Sequence, residues 1–428
     1  MTGTQAMTPV PIRLGYESVR SLTEELARPL SPEDQTVQSM PDVSPTKWHR
    51  GHTTWFFETF VLSPSHPGYE QCCSSYGYLF NSYYEAEGPR HPRVQRGLIS
   101  RPGIAEVAHY RAHVDEAMVE LLSRELDPEV AGLVELGLNH EQQHQELLLM
   151  DIKHVLSCNP LLPSYREGAP EAPSNQPPGQ PGRSDAPSWW CHPGGLVEIG
   201  HGGEGFCFDN ETPRHQVYLQ PFELASGLVT NGEWLSFMAD GGYQRPELWL
   251  SEGWATVQAT GWDAPLYWSR LDDGWQEFTL SGARALDPSL PVCHISLFEA
   301  DAFARWSGAR LPTEFEWEAM AAGGKVEGNF LDLDRLHPAP REPLAAFRPF
   351  GDLWQWTSSS YGPYPGFRPA PGAVGEYNGK FMVNQYVLRG GCCATPAGHA
   401  RPTYRNFFPA AARWPFTGLR LARSDPGG

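Results

Sequence analysis

His140-Glu-Gln-Gln-His144 places two imidazoles four residues apart. Residues at i and i+4 share one face of a helix, so both rings can reach a single cation. The stripe Leu133, Leu136, His140, His144, Leu147 runs at helical spacing, and this face is expected to point into a core. An imidazole buried among aliphatic side chains needs a partner. For a lone pair of this kind the ordinary explanation is a hydrogen-bonded core histidine or a surface pair. Here a third candidate, His52, holds the same kind of position in the stripe Trp48, His52, Trp55, Thr59. Three inward imidazoles favour a metal site. His109 and His113 form a competing pair, but they sit one residue off their own stripe of Tyr110 and Val114, so they are expected nearer the surface and without a ligand role. Three neutral imidazoles without a carboxylate can hold Zn, Ni, Cu or Fe, so ligand type alone does not choose the metal. With only three protein ligands, positions stay open for substrate or dioxygen.

The elements that must present these residues are legible as four helical patterns between Glu17 and Cys158. Val19, Leu22 and Leu26 mark the first. Ser44-Pro45, an N-cap followed by a first-turn proline, opens the second, which runs to about Leu62. Tyr110, Val114, Met118 and Leu121 define the third. Asp127-Pro128 caps the fourth, which continues to about Val155. Four such helices make a bundle, expected over residues 1–162. Residues 163–188 are rich in Pro and Gly and poor in apolar side chains, the composition of an extended linker. From 189 to 428 the texture changes to short aromatic segments broken by Gly and Pro. Helices are expected at Asn231–Ala239 and Leu297–Ser307, with a further turn at Thr313–Ala322. That pattern suits an irregular α+β domain.

The 428 residues are too many for one ordinary core. A net charge of -18 opposes binding to nucleic acid or an anionic membrane, and no stretch approaches the ~20 apolar residues of a membrane helix. A cytoplasmic protein acting on small molecules is expected. The 8 cysteines include the adjacent pairs Cys72-Cys73 and Cys392-Cys393 and no CxxC, so neither a zinc ribbon nor a disulfide framework is implied.

The histidine pattern of the first half resembles the DinB-like four-helix family, whose metal-binding members use a histidine on the second helix and an HxxxH on the last. The second half resembles the formylglycine-generating enzymes, a C-type-lectin-like fold. It does so through Gly195-Leu-Val-Glu-Ile-Gly200, Val229-Thr-Asn-Gly-Glu-Trp234, Arg310-Leu-Pro-Thr-Glu-Phe-Glu-Trp317, Gly351-Asp-Leu-Trp-Gln-Trp-Thr357, Leu388-Arg-Gly-Gly391 and Gly418-Leu-Arg-Leu421. The two in this order resemble EgtB, the iron(II)-dependent sulfoxide synthase family of ergothioneine biosynthesis. These enzymes join the sulfur of a thiol amino acid to the imidazole of hercynine using O₂. Phe80-Asn-Ser-Tyr-Tyr84 and Arg90-His-Pro-Arg93-Val-Gln-Arg96-Gly are also similar to this family.

The resemblance implies Fe(II) held by His52, His140 and His144. It implies that Gln143, Asn406 and Phe407 hold hercynine, whose trimethylammonium suits an aromatic face. Arg93 and Arg96, with Arg90 a weaker candidate, would grip the carboxylate of the sulfur donor. Relatives that accept γ-glutamylcysteine carry Trp-Asp after the Asn, whereas this chain has Phe407-Phe408. The acidic partner of the glutamyl amine is therefore missing, and free cysteine is the expected donor, with γ-glutamylcysteine the alternative. Those relatives place a catalytic tyrosine in the loop before Arg-Gly-Gly. Tyr377 lies close to that position in an uncertain register, and Tyr83 or Tyr84 is expected to supply the phenol proton instead. Two further readings compete: a DinB-type metal-dependent thiol transferase needing only the first half, and a non-catalytic lectin-like binding protein.

Overall fold

The computed structural model describes residues 9–166, 188–272, 274–340, 347–370 and 373–424. The chain divides into two compact units: Met1–Tyr165 with Ala370–Tyr377, and Arg166–Pro369 with Asn378–Gly428. Most of the expected linker, residues 167–187, lies outside the described residues. Among those described, no helix is long and apolar enough to cross a membrane.

The first unit is built on four long helices, α1 (Pro9–Ala27), α2 (Thr46–Phe56), α3 (Ile104–Leu122) and α4 (Pro128–Ser157). The Asp127 carboxylate opens α4 by accepting the Glu129 backbone N–H at 2.8 Å, with Pro128 at the first position, where its missing N–H costs nothing. The second helix departs from expectation at both ends. Its N-cap is Pro45 rather than Ser44, and Ser44 spends its N–H on the Asp151 carboxylate at 2.8 Å. Beyond Phe56 the chain continues as a wider π-turn, Phe57–Leu62, the kind of local bulge that re-aims side chains near a site. Every residue of α2 is buried, so this helix is the hub of the bundle.

The buried stripe of α4 also differs from the expected one. Val134, Gly137, Glu141, Gln145 and Leu148 face the core with His140, while Leu133, Leu136 and Leu147 are only half-buried. The reason is polar. Glu141 is fully buried and accepts from Arg20 Nη1 at 2.8 Å, Arg111 Nη2 at 3.0 Å and Thr23 Oγ1 at 2.6 Å. Arg20 also reaches Asp115 and Thr54. Carboxylates and guanidiniums tolerate burial when paired in this way, so a charged face rather than an aliphatic one turns inward.

The second unit begins with β1 (Trp189–His192), β2 (Gly195–Ile199), β3 (His215–Leu219) and β4 (Phe222–Ala225). Next come β5 (Trp268–Leu271), β6 (Gly274–Thr279) and β7 (Gly282–Ala285). It ends with β8 (Trp354–Ser360), β9 (Tyr386–Arg389), β10 (Asn406–Phe408), β11 (Thr417–Gly418) and β12 (Ala422–Ser424). They form small sheets ordered β1-β4-β12, β10-β9-β8-β11, β2-β3 and β5-β6-β7. Among its helices are α5 (Asn231–Ala239), α6 (Ser251–Thr260), α7 (Leu297–Trp306) and α8 (Glu314–Ala321). Three of these begin in capping boxes readable in the sequence, Thr230/Glu233, Ser296/Glu299 and Thr313/Glu316. The helices and small sheets confirm a helical bundle followed by an α+β domain.

Candidate metal centre

The bundle brings His52 of α2 and His140 and His144 of α4 together, with one ligand atom of each lying within 4.8 Å of the others. The ring centroids are 4.9 Å apart for His52 and His140, 4.7 Å for His52 and His144, and 4.6 Å for His140 and His144. His52 Nδ1 donates to the Phe80 carbonyl at 2.6 Å, which leaves Nε2 with its lone pair and no partner. Among the described residues, neither nitrogen of His140 has a hydrogen-bond partner. Orphaned buried nitrogens cost free energy unless something fills the gap, and a cation among three imidazoles would do so. Burial pushes the His140 pKa down to about 3. It also holds His52 and His144 well below the usual imidazole value, with the neighbouring rings adding to the effect. All three therefore stay neutral at neutral pH, the state a metal ligand must be in. The residues present fit a metal ion. His109 is exposed and His113 is half-buried, its Nε2 on the Glu70 carbonyl, so that pair lies apart as expected.

Aromatic rings fix the cluster from the side. Trp48 stacks on His52 at 4.6 Å and Trp55 at 5.6 Å. Arg96, 3% exposed, sits over Trp48 with its Cζ 3.3 Å from the ring centroid and, among the described residues, donates to the hydroxyls of Ser44 and Ser82. Among the described residues its Nε is unpartnered and no carboxylate pairs with it. Burial, then the charges of Arg93 and Arg90, hold its pKa well below the usual guanidinium value, although Asp151 opposes them. Arg93 is exposed and donates to the Asp42 carbonyl, while Arg90 pairs with Glu85.

Gln143 accepts a hydrogen bond from the Tyr377 hydroxyl, and the Tyr377 ring stands edge-on to His140 at 5.5 Å. The adjacent Glu376 carboxylate takes the backbone N–H groups of Glu85 and Ala86, each at 3.0 Å, which ties this loop to the bundle. Tyr83 stacks on Tyr84 at 4.6 Å and meets Tyr377 at 6.3 Å. Tyr84 is fully buried against Trp55 and Phe60, and burial, then Tyr83 and Tyr377, raise its pKa well above the ordinary phenol value. In the other unit, Phe407 stacks on Tyr361 at 4.1 Å and on Phe381 at 6.0 Å. Phe408 packs on Trp414, and Asn406 Oδ1 accepts the Phe407 N–H.

Tyr377 cannot be chosen from the sequence, because nothing periodic in a Gly/Pro-rich loop fixes its register. His49 and Asp151 do not stand out there. Their signal was present: His49 is three residues before His52, and Asp151 seven after His144, so each shares a helical face with a cluster histidine.

The architecture and site define a histidine-lined helical bundle, able to hold a metal ion, joined to a formylglycine-generating-enzyme-like domain. Residues 16–148 match the DinB superfamily, and residues 175–350 and 340–425 match the sulfatase-modifying factor enzyme 1-like domain. The hercynine oxygenase of Mycolicibacterium thermoresistibile is 32% identical over 417 residues, covering 89% of this chain and 88% of that protein. That of Mycobacterium tuberculosis is 30% identical, covering 89% and 91%. A formylglycine-generating enzyme of Streptomyces coelicolor is 30% identical over 46% of this chain and 76% of its own length. The chain belongs to the hercynine oxygenase family. It is an oxygenase.

Proposed function

We propose that the chain catalyses the O₂-dependent joining of cysteine sulfur to the imidazole of hercynine, giving the sulfoxide of the ergothioneine pathway, with Fe(II) as its metal. The observation that carries this reading is the set of three neutral, partly orphaned imidazoles in a chain similar along nearly its whole length to hercynine oxygenases. His52, His140 and His144 would hold the iron, which when bound would supply dioxygen activation and favour the donor as thiolate.

The protein's own groups do the rest. Arg96 presents a buried guanidinium that has no counter-ion among the described residues, which a substrate carboxylate would complete bidentately. The exposed Arg93 and the Glu85-paired Arg90 would act, if at all, as outer charges of the same subsite. The Tyr377 phenol, its ring beside His140 and its hydroxyl on Gln143, would be the proton donor for the reacting oxygen. Tyr83 and Tyr84 stand a ring further out and would brace it. Phe407 and Asn406 would meet hercynine, the aromatic face suiting its trimethylammonium. Phe408, where an acidic residue would serve a glutamyl amine, favours free cysteine as donor.

The test is reconstitution with Fe(II) under argon, addition of hercynine with cysteine or with γ-glutamylcysteine, admission of air, and mass spectrometry of the products. Sulfoxide from cysteine supports the reading. Product from γ-glutamylcysteine alone overturns the donor, and product from neither overturns the reaction.

A further inference from the structure

Behind the histidine cluster stands a second buried polar chain. His49 Nδ1 lies 2.8 Å from His144 Nδ1, and His49 Nε2 lies 3.1 Å from Asp151 Oδ2. The same Asp151 oxygen accepts the Ser44 backbone N–H at 2.8 Å. His49 is 2% exposed and Asp151 3%, so water does not compete for these contacts.

These contacts order the hydrogens. Asp151 Oδ2 is an acceptor, so the hydrogen it shares with His49 sits on Nε2. In its neutral form His49 carries one N–H, which leaves Nδ1 with a lone pair. Only His144 can then supply the hydrogen of the 2.8 Å contact, from its own Nδ1. His144 Nε2 is left bare, the one nitrogen of that ring open to a cation. The geometry points to Asp151 and His49 as a positioning relay that selects the metal-competent tautomer of His144. This rests on reading His52, His140 and His144 as the metal site. Ligating histidines are commonly oriented by a carboxylate or carbonyl on their second nitrogen, and here another imidazole is interposed. His52 gets the same service from the Phe80 carbonyl, a backbone group. The orientation of His144 is the one that side-chain replacement can remove.

Two measurements on the full chain test the relay. With histidine ¹⁵N-labelled and one equivalent of Zn(II) as a diamagnetic probe, long-range ¹H–¹⁵N spectra read each ring's tautomer. Protonation of His49 at Nε2 and not at Nδ1 is expected, and a proton on His49 Nδ1 overturns the relay. Competition with a chelator gives Zn(II) affinity. His49→Phe and Asp151→Leu are expected to weaken it about ten- to a hundredfold in chains that still fold, and a loss under about threefold in either folded variant overturns the relay. A purely structural role would lower the melt and leave affinity alone. His140→Ala separates the two readings: if it too keeps parental affinity, the cluster is not the metal site. If it loses binding while His49→Phe keeps it, only the relay fails. Should the relay variants not fold, the tautomer spectrum of the parent still decides.

Discussion

At the scale of single residues, each contribution can be removed separately. Tyr377→Phe takes away one hydroxyl next to His140, and sulfoxide formation is expected to fall on the order of 10²-fold or more, read as product per turnover, while metal affinity is unchanged. Tyr83→Phe and Tyr84→Phe should cost much less, since the ring contacts described for them run to Tyr377, Trp55 and Phe60; an effect equal to that of Tyr377→Phe would return the proton donor to that pair. Arg96→Met should raise the KM for the thiol substrate while leaving metal binding intact, because it removes the charge but keeps much of the packing over Trp48. The histidines were legible in the sequence because four-residue spacing is a helical geometry that needs no tertiary information. Tyr377 was not, because its place depends on a carboxylate, Glu376, meeting two backbone N–H groups some 290 residues away in the chain.

At the scale of elements, the approach of α4 to α2 and the π-turn that follows it sets how close the histidine cluster lies, and Gly137 permits that approach. A Cβ on Gly137 would stand 2.6 Å from the Phe57 ring and 2.9 Å from that of Phe56. Gly137→Ala should therefore cost about 1–3 kcal/mol by overpacking and also weaken metal affinity, since His140 is one turn further along α4. Asp127→Ala offers the contrast: loss of the N-cap costs about 1 kcal/mol in thermal melts with affinity preserved, because that end of α4 is remote from the cluster. If Gly137→Ala lowered stability but not affinity, the helix spacing would not be what tunes the site. The helices themselves were readable from apolar spacing and caps. Which face of α4 turns inward was not, because Glu141 is buried only by virtue of Arg20 and Arg111, which lie on other helices. In the second unit α6 was missed for a related reason. Its Gly253 and β-branched residues disfavour a helix locally, and packing on Phe298, 2.9 Å from a Cβ at Gly253, selects it instead.

At the scale of the whole molecule, burial of neutral imidazoles makes stability depend on pH. As pH falls below 6.5 the unfolded chain takes up a proton on His140, whereas the folded chain resists until about 3, so stability is lost across that window. For His140 alone the loss is about 2 kcal/mol at pH 5. Glu141 acts lower down. Burial would raise its pKa, but Arg20 and Arg111 win and hold it at about 2, so its contribution is present above 4.5 and lost as pH falls towards 2. Denaturant titrations of the metal-free protein should show the bundle weakening from pH 6.5 downward, with bound Zn(II) steepening the dependence because protons and metal compete for the same nitrogens. A stability flat from pH 7 to 5 would contradict the buried, neutral cluster. The division into a helical bundle and an α+β domain was apparent from the change in texture near residue 189, whereas the strand order, including the parallel pairing of β8 with β11, was not, since it depends on contacts distant in sequence. The most direct test of the central claim is turnover against Fe(II) added anaerobically to the full chain, with hercynine, cysteine and then O₂. Sulfoxide should rise in proportion to iron, level off at one equivalent per chain, and vanish in His52→Ala, His140→Ala and His144→Ala; thiol chemistry that proceeds without O₂, or equally well with Zn(II), would contradict the account.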